Sequence, residues 1–202
     1  MKLYYSPAAC SLSPHIVASE AGLALDLVRV NLETHQTADG ADYYGINPKG
    51  YVPFLVRDDG STLSEGPAIV QYLADLAPQA GLAPAAGTPE RYRLQEWLNY
   101  ISTELHKGMG LLFDKAMPED YKPVVRERAG KRLEFLSRAL DGNDYLMGAQ
   151  FSVADAYLFT VLGWTKWLGI DLAKWPVLTQ YVARVGARPK VLAALKSEGL
   201  VK

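Results

Sequence analysis

Hydrophobic positions change their period near residue 80. Before that point, short apolar runs typical of β-strands alternate with segments of helical character, the runs covering residues 3–5, 27–30, 54–57 and 61–63. Beyond it, apolar residues recur at spacings of three, four and seven, at Leu94, Leu98, Ile101, Leu105 and Leu112. Such spacing predicts a helix with one core-facing stripe. The pattern therefore predicts two parts of different structural class.

The first part is expected to form a mixed sheet with helices. A helix after the first strand ends near Ala21-Gly22, and a short helix precedes Asn47-Pro48. The turn Asp58-Asp59-Gly60 between two apolar runs predicts a β-hairpin. A last helix covers residues 66–76, with proline tolerated in its first turn. The order β-α-β-α-β-β-α predicts an α/β fold of thioredoxin-like type.

A segment rich in proline, glycine and alanine separates the two parts. Residues 77–89 carry no sustained apolar period and are typical of a linker. After it, helices are predicted at residues 122–140, 153–168, 176–186 and 189–197. We therefore divide the chain into a thioredoxin-like domain (1–77), a linker (78–88) and an all-helical domain (89–202).

Composition restricts the class of partner. The 202 residues are 49% hydrophobic and carry a formal net charge of −1, which argues against a nucleic-acid partner. No apolar run approaches the roughly 20 residues that cross a bilayer, and the N-terminus lacks the pattern of a signal peptide. The single cysteine, Cys10, forms no intrachain disulfide, so we expect a cytoplasmic protein. His15, His35 and His106 share no metal-ligand spacing, so we expect no metal site.

Cys10 is the first candidate for chemistry. It ends the loop that begins at Ser6, directly before a helix opened by Ser11 or Ser13. Unpaired N–H groups and the dipole at a helix N-terminus favour an anion, so this thiol is expected to be more acidic than a free one. The absence of a CxxC motif excludes dithiol exchange of the thioredoxin type. The alternative is a small buried hydrophobic residue, and position alone does not decide between the two.

Two backbone features are typical of peptide binding. Proline holds Val52 extended before Pro53, where the free N–H and C=O groups of Val52 would pair with a peptide. Glu65 precedes Gly66 at the start of a helix, where N–H groups bind a carboxylate and Glu65 pairs with an ammonium group. The alternatives are a rigid loop entering a strand and an ordinary acidic first turn.

Asn99, Thr103 and His106 form a polar stripe opposite the apolar stripe of their helix. A solvent-facing stripe is the usual explanation. The neighbouring aromatic residues Trp97 and Phe113 favour instead the wall of a cleft.

Together these motifs resemble those of the glutathione S-transferases. The resemblance to the glutathione-binding half of that family is carried by Tyr5, the loop at 6–11 with Cys10, and the segments at 47–53 and 63–73. The segment at 96–107 resembles the bacterial beta class, and the segment at 151–159 resembles the family's folding signature. In the latter, Ser152 and Asp155 have the spacing of a capping box. The resemblance covers essentially the whole chain, and it implies glutathione as co-substrate and a homodimer.

The resemblance also implies roles for single residues. Cys10 is expected to contact the sulfur of glutathione, and Val52, before a cis-Pro53, to pair with its cysteinyl backbone. Glu65 and Gly66 are expected to hold the γ-glutamyl end.

In the helical domain the resemblance places Asn99 and Glu104 at the glutathione of a partner subunit, and Thr103 and His106 beside the site. His106 joins Cys10 as a candidate catalytic residue. The pocket for the second substrate is expected at His106 and Lys107, with Phe113 and Trp164 as candidate walls. Core packing is the alternative role for those two aromatic residues.

Three further positions carry expectations. Tyr5 matches a tyrosine that is catalytic in other classes, but it is not expected to be essential in this one. Ser11 is expected to hydrogen-bond a leaving group or thiolate. His35 stands where many relatives carry lysine at the glycine carboxylate of glutathione, and a shorter, mostly neutral side chain weakens that contact.

The mechanism implied is attack by the glutathione thiolate on a small hydrophobic electrophile, with dehalogenation as one variant. A glutathione-dependent thiol-disulfide oxidoreductase or peroxidase that uses Cys10 is the second hypothesis. A non-catalytic binding or regulatory protein on the same fold is the third.

Overall fold

The chain divides between Ala83 and Pro84 in the computed structural model, which describes residues 1–202. The division falls inside the predicted linker. The first unit comprises Met1–Ala83 together with Arg188–Lys202, and the second comprises Pro84–Ala187. The last 15 residues (188–202) thus differ from their expected place in the helical domain, because the apolar face of the C-terminal helix, with Val191 and Ala194, is buried in the first unit.

A five-stranded sheet forms the centre of the first unit. Its order is β3-β2-β1-β4-β5, with β1 at Lys2–Tyr5, β2 at Asp26–Asn31, β3 at Gln36–Thr37, β4 at Phe54–Val56 and β5 at Thr62–Ser64. Strand β1 pairs parallel with β2 and antiparallel with β4, while β4 and β5 form the predicted hairpin. Sequence analysis missed β3, because two residues are too short to show an alternating pattern.

Three helices belong to the first unit: α1 at Leu12–Ala21, α2 at Gly66–Leu76 and α8 at Pro189–Ser197. Helix α1 packs against both α2 and α8. It ends where Gly22 adopts a left-handed conformation (φ +70°), which a residue with a side chain rarely adopts. The first helix, the last helix and the hairpin lie where the sequence predicted them.

The second unit is helical. It contains α3 at Pro89–Tyr100, α4 at Lys107–Gly110, α5 at Lys122–Leu140, α6 at Val153–Leu162 and α7 at Pro176–Gly186. Between α3 and α4 the segment Ile101–His106 is a π-helix, so the predicted helix has one widened stretch. The predicted helix at 153–168 also changes character, continuing beyond α6 as a 3₁₀ turn at Gly163–Lys166. No helix of the protein combines the length and apolar character that crossing a membrane requires.

The predicted core stripe of the second unit is confirmed. Leu94, Leu98, Ile101 and Leu105 are at most 1% exposed. Leu112, the last member of the stripe, is half-buried in the 3₁₀ turn Leu111–Phe113. A stripe of this kind turns the opposite face of α3 and the π-helix, with Asn99 and Thr103, to the surface.

Candidate active site

The loop between β1 and α1 places Cys10 directly before the first turn of α1. The Cys10 carbonyl accepts hydrogen bonds from the N–H of Ser13 at 3.2 Å and from its hydroxyl at 2.8 Å. Ser11 is fully buried, and its hydroxyl accepts from the Ser6 N–H (3.1 Å) and donates to the Ser6 carbonyl (3.2 Å). The Ser11 hydroxyl therefore holds the loop together, whereas the sequence analysis placed it at a thiolate or leaving group.

The Cys10 thiol lies beside the segment that precedes β4. Its Sγ donates to the Val52 carbonyl oxygen at 3.1 Å, and the Val52–Pro53 peptide bond is cis, as expected. The preceding carbonyl, that of Tyr51, accepts from the Tyr43 hydroxyl and from Nδ2 of Asn47, both at 2.8 Å. Burial raises the pKa of Tyr43 to about 12, so its hydroxyl remains a donor at neutral pH. Tyr43 and Asn47 thus fix the backbone to which Cys10 binds.

Glu65 opens α2 in a left-handed backbone conformation (φ +72°). Its carbonyl accepts from the N–H groups of Ala68 and Ile69 at 3.0 Å. Its carboxylate, 69% exposed, accepts from Nζ of Lys49 at 2.9 Å. A carboxylate and an ammonium group therefore lie side by side at the N-terminus of α2, where an α-amino acid head would meet both charges.

Gly66 connects Glu65 to the cis-proline segment. A Cβ atom at Gly66 would lie 3.9 Å from Cγ of Pro53, so the start of α2 faces the proline ring. Cys10 bonds to Val52, and the neighbouring Pro53 faces the start of α2 at Gly66, next to Glu65. The structure thus brings together five of the predicted site residues of the first unit.

His35 lies on the loop after β2 and stacks on Tyr44, with ring centroids 4.4 Å apart. Its Nε2 lies 3.2 Å from the Tyr44 hydroxyl, while its buried Nδ1 has no hydrogen-bond partner and faces Gly50. Tyr5 is half-buried at the end of β1, its ring edge-on to that of His15 at 6.4 Å. The ring contacts and hydrogen bonds of His35 and Tyr5 thus involve Tyr44 and His15.

In the second unit the predicted polar residues lie on and beside the π-helix. The Thr103 hydroxyl donates to the Asn99 carbonyl at 3.0 Å, taking the acceptor that a regular α-helix gives to the N–H of residue 103. This bond fits the widened turn. π-Helical turns are frequent at functional sites. Glu104 is paired within the chain, with Nε of Arg132 at 2.9 Å from its carboxylate.

His106 joins an aromatic cluster. Its Nδ1 lies 2.6 Å from the Tyr157 hydroxyl, and its ring meets that of Trp164 edge-on at 4.8 Å. The ring of Phe113 lies 5.9 Å from that of Trp164. Trp164 is buried and Phe113 is 49% exposed, so the cluster has one packed side and one open side. Lys107, the next residue in the helix, is exposed.

Ser152 and Asp155 form the capping box of α6, which confirms their structural role. Asp155 is fully buried and its carboxylate accepts from the N–H groups of Leu146 and Ser152 and from the hydroxyls of Ser152 and Tyr181. Burial raises the pKa of Asp155, while these four donors oppose that shift. The Asp155 carboxylate thus accepts four hydrogen bonds and lies in the core of the second unit.

Sequence reasoning missed four residues around the predicted ones. Tyr43 and Asn47 hold the Tyr51 carbonyl, Lys49 pairs with Glu65, and Tyr157 bonds to His106. Asn47 and Lys49 lie inside a segment that the resemblance used as a motif, but without separate roles. No local signal connects Tyr157 to His106, 51 residues away in the chain.

Two family models match this chain, one over most of the sheet-containing part and one over the helical part. Residues 8–76 match the family model "Glutathione S-transferase, N-terminal domain", and residues 82–189 match "Glutathione S-transferase, C-terminal domain". The chain is 46% identical to glutathione S-transferase GstA of Escherichia coli O157:H7, over 99% of this chain and all of that protein.

Two solved structures are similar over the whole of both chains, each at 45% identity. One is a sphingomonad glutathione S-transferase complexed with glutathione, with a TM-score of 0.95. The other is a bacterial beta class glutathione S-transferase of Sphingomonas chungbukensis, with a TM-score of 0.96.

Proposed function

Because the chain belongs to the glutathione S-transferase family, in its bacterial beta class, we propose that its first unit binds glutathione along Cys10, Val52 and Glu65. The protein is a glutathione transferase, an enzyme that conjugates the glutathione thiolate to electrophilic molecules. What is proposed here is which residues hold glutathione and which hold the second substrate.

The observation that supports the glutathione site is the hydrogen bond from Cys10 to Val52 together with the position of the adjoining Pro53 beside the start of α2, at Gly66 and Glu65. The γ-glutamyl head carries an ammonium and a carboxylate. The ammonium pairs with the carboxylate of Glu65, and the head's carboxylate accepts from the N–H of Gly66 at the start of α2. Lys49, 2.9 Å from Glu65, adds a positive charge for that carboxylate.

The cysteinyl part of glutathione pairs with the extended backbone of Val52, as a strand would. Its sulfur then lies beside Cys10, before the first turn of α1, where the helix dipole favours a thiolate. The thiolate forms a carbon–sulfur bond with the electrophile. When the electrophile is a halide, the halide ion leaves with the electron pair of the broken bond. Cys10 forms no bond in this reaction.

The second substrate is proposed to bind at the aromatic cluster of the second unit. Phe113, half exposed beside the buried Trp164, offers an apolar face. His106, in ring contact with Trp164, and the exposed Lys107 that follows it are the polar groups proposed at its border. An apolar pocket with few polar groups is typical of small-molecule sites. This arrangement supports a hydrophobic electrophile.

The proposal includes a homodimer, in which Asn99 and Glu104 contact the partner's glutathione. Asn99 is exposed, and Glu104, 41% exposed, is held in place by Arg132. Sedimentation at micromolar concentration should give twice the chain mass of 22.2 kDa. A particle of the mass of one chain would contradict the dimer.

Calorimetric titration with glutathione, together with conjugation of an aryl halide, tests the site. Glu65→Ala should weaken glutathione binding by roughly 1.5–3 kcal/mol, the scale of a charge-assisted hydrogen bond. Asp75→Ala, near the other end of the same helix, is the matched control and should leave affinity unchanged. Equal effects of the two substitutions, or no saturable binding by the unaltered protein at millimolar glutathione, would overturn the proposed site.

A further inference from the structure

Lys49 connects the loop before β4 to the start of α2. Its Nζ donates to Oε1 of Glu65 at 2.9 Å and to the Ser64 hydroxyl oxygen at 3.1 Å. Its backbone is fixed by Asn47, whose Oδ1 accepts from the Lys49 N–H at 3.2 Å and whose carbonyl accepts from the Gly50 N–H at 2.8 Å. The Lys49 side chain is 52% exposed. Its ammonium can therefore change partners while its backbone stays in place.

The first turn of α2 has few donors for a ligand. Pro67 has no N–H, and the N–H groups of Ala68 and Ile69 donate to the Glu65 carbonyl at 3.0 Å. Gly66 has an N–H but no side chain that could donate. A carboxylate has two oxygens, each able to accept more than one hydrogen bond. A carboxylate bound here therefore needs a second donor from outside the turn.

The charges around Glu65 point to that donor. The Glu65 carboxylate already holds one ammonium group, that of Lys49. A γ-glutamyl head carries its ammonium and its α-carboxylate on the same carbon. When the ammonium of the head pairs with Glu65, the α-carboxylate lies beside Lys49, whose flexible stem lets its ammonium follow. Two positive and two negative charges then alternate, whereas without Lys49 two carboxylates would share one ammonium.

We propose that Lys49 is a specificity-determining residue that selects glutathione by its α-carboxylate. The inference rests on the proposed glutathione site and adds to it a rule about which ligands bind. The α-carboxylate accepts from the Gly66 N–H and from the Lys49 ammonium together. Ligands that carry the same ammonium but lack this carboxylate lose the bond to Lys49.

Two other roles for Lys49 make a different prediction. Lys49 could act only as a cation that competes for Glu65, or the Ser64 hydroxyl could be the second donor in its place. Competition for Glu65 weakens every ligand with an ammonium group by the same factor. The ratio of two dissociation constants, for ligands with and without the α-carboxylate, is therefore unaffected by competition and isolates the bond to Lys49.

Calorimetry with two ligands measures this ratio. One is S-methylglutathione, and the other is 4-aminobutanoyl-S-methylcysteinyl-glycine, which lacks only the α-carboxylate. The second should bind the unaltered protein more weakly. Lys49→Met should lower the ratio about fivefold, the upper range for a half-exposed ion pair. Lys2→Met is the matched control, since Lys2 is a half-exposed lysine of β1, 4.0 Å from Asp26, and it should leave the ratio unchanged.

A serine at residue 66 tests where the carboxylate lies. The Gly66 backbone is outside the left-handed region, and a Cβ there would be 3.9 Å from Cγ of Pro53, an ordinary contact. Serine therefore fits and adds a hydroxyl to the first turn. Gly66→Ser in the Lys49→Met protein should raise the ratio again by at least about twofold. A serine that recovers none of the ratio would overturn the placement of the carboxylate at the start of α2.

The same titrations separate this inference from the proposed function. A ratio that Lys49→Met leaves unchanged would overturn the inference, as would an equal fall in Lys2→Met. If Glu65→Ala weakens S-methylglutathione binding in the same experiments, the proposed glutathione site stands whatever the effect of Lys49. No saturable binding of S-methylglutathione by the unaltered protein would overturn both.

Discussion

The Cys10 thiol donates a hydrogen bond to the Val52 carbonyl oxygen, 3.1 Å away. The bond uses the thiol proton, so it stabilises the neutral thiol when the site holds no ligand. The same carbonyl is the acceptor proposed for the cysteinyl N–H of glutathione. A carbonyl oxygen has two lone pairs, so the Cys10 thiol and the bound glutathione share the Val52 oxygen and lie next to each other.

S-Methylglutathione, which has no thiol to consume the reagent, should protect Cys10 from iodoacetamide. Its sulfur covers the Cys10 thiol when bound, so the alkylation rate should fall as the ligand is added. The concentration that gives half protection should agree with the dissociation constant of the same ligand from calorimetry. An alkylation rate that stays constant at saturating S-methylglutathione would show that Cys10 does not lie beside the substrate sulfur.

Cys10→Ala should leave conjugation within about tenfold of the unaltered enzyme, a barrier change near 1.4 kcal/mol. Glutathione brings its own nucleophilic sulfur, so the protein thiol shapes the site without reacting. The measurement is kcat/KM with an aryl halide. Complete loss of turnover in a folded Cys10→Ala protein would instead favour the thiol-disulfide mechanism.

His35→Lys should tighten glutathione binding by about two- to fivefold, since a permanent charge would face the glycine carboxylate. Both residues carry a side chain, so the left-handed backbone at residue 35 (φ +51°) costs about the same in each. His35→Gln is the neutral control. Identical dissociation constants for all three proteins would remove His35 from the site.

Tyr181→Phe should lower the free energy of unfolding by about 1–2 kcal/mol, because it removes a donor from the buried Asp155 carboxylate. Tyr92→Phe removes a hydroxyl from a side chain that is 63% exposed, and it should have no effect. Urea denaturation followed by circular dichroism compares the two. If Tyr92→Phe lowers the free energy of unfolding as much as Tyr181→Phe does, the hydrogen bond to Asp155 does not account for the loss.

Asp155 should give the unfolding free energy a pH dependence of known sign. Burial raises its pKa in the folded protein above the value of 3.8 that it has when exposed, so the folded state holds the proton more tightly. The stability contributed by the carboxyl group is therefore fully present below pH 3.8 and falls as pH rises through the raised pKa. The difference in unfolding free energy between the unaltered protein and Asp155→Ala should shrink over that window. A difference that grows with pH would show that folding lowers the pKa of Asp155 instead of raising it.

The sequence predicted most of the fold, because periodicity and turn chemistry are local. The bounds of α5, α7 and α8 were predicted to the residue, and Pro or Gly marks several of them. The strand β3 and the π-helix at Ile101–His106 were missed, since two residues show no period and a widened turn keeps the apolar stripe intact.

The candidate site was predicted where one short motif carries it and missed where distant segments meet. Cys10, Val52 and Glu65 each stand in a recognisable local pattern. Tyr157 does not, because its partner His106 lies 51 residues away and no pattern near Tyr157 points to it. Lys49 was missed for a different reason, since a lysine in a loop is common and only the fold places it against Glu65.

The return of α8 to the first unit reverses the usual order of domain completion during translation. Domains commonly fold one after another as they emerge from the ribosome, the N-terminal one first. Here the second unit ends at Ala187, so its whole sequence has been made before Arg188 is added. The sheet and α1 are made first, but α1 gains its packing partner α8 only after the whole second unit has been synthesised. The first unit is therefore begun first and completed last.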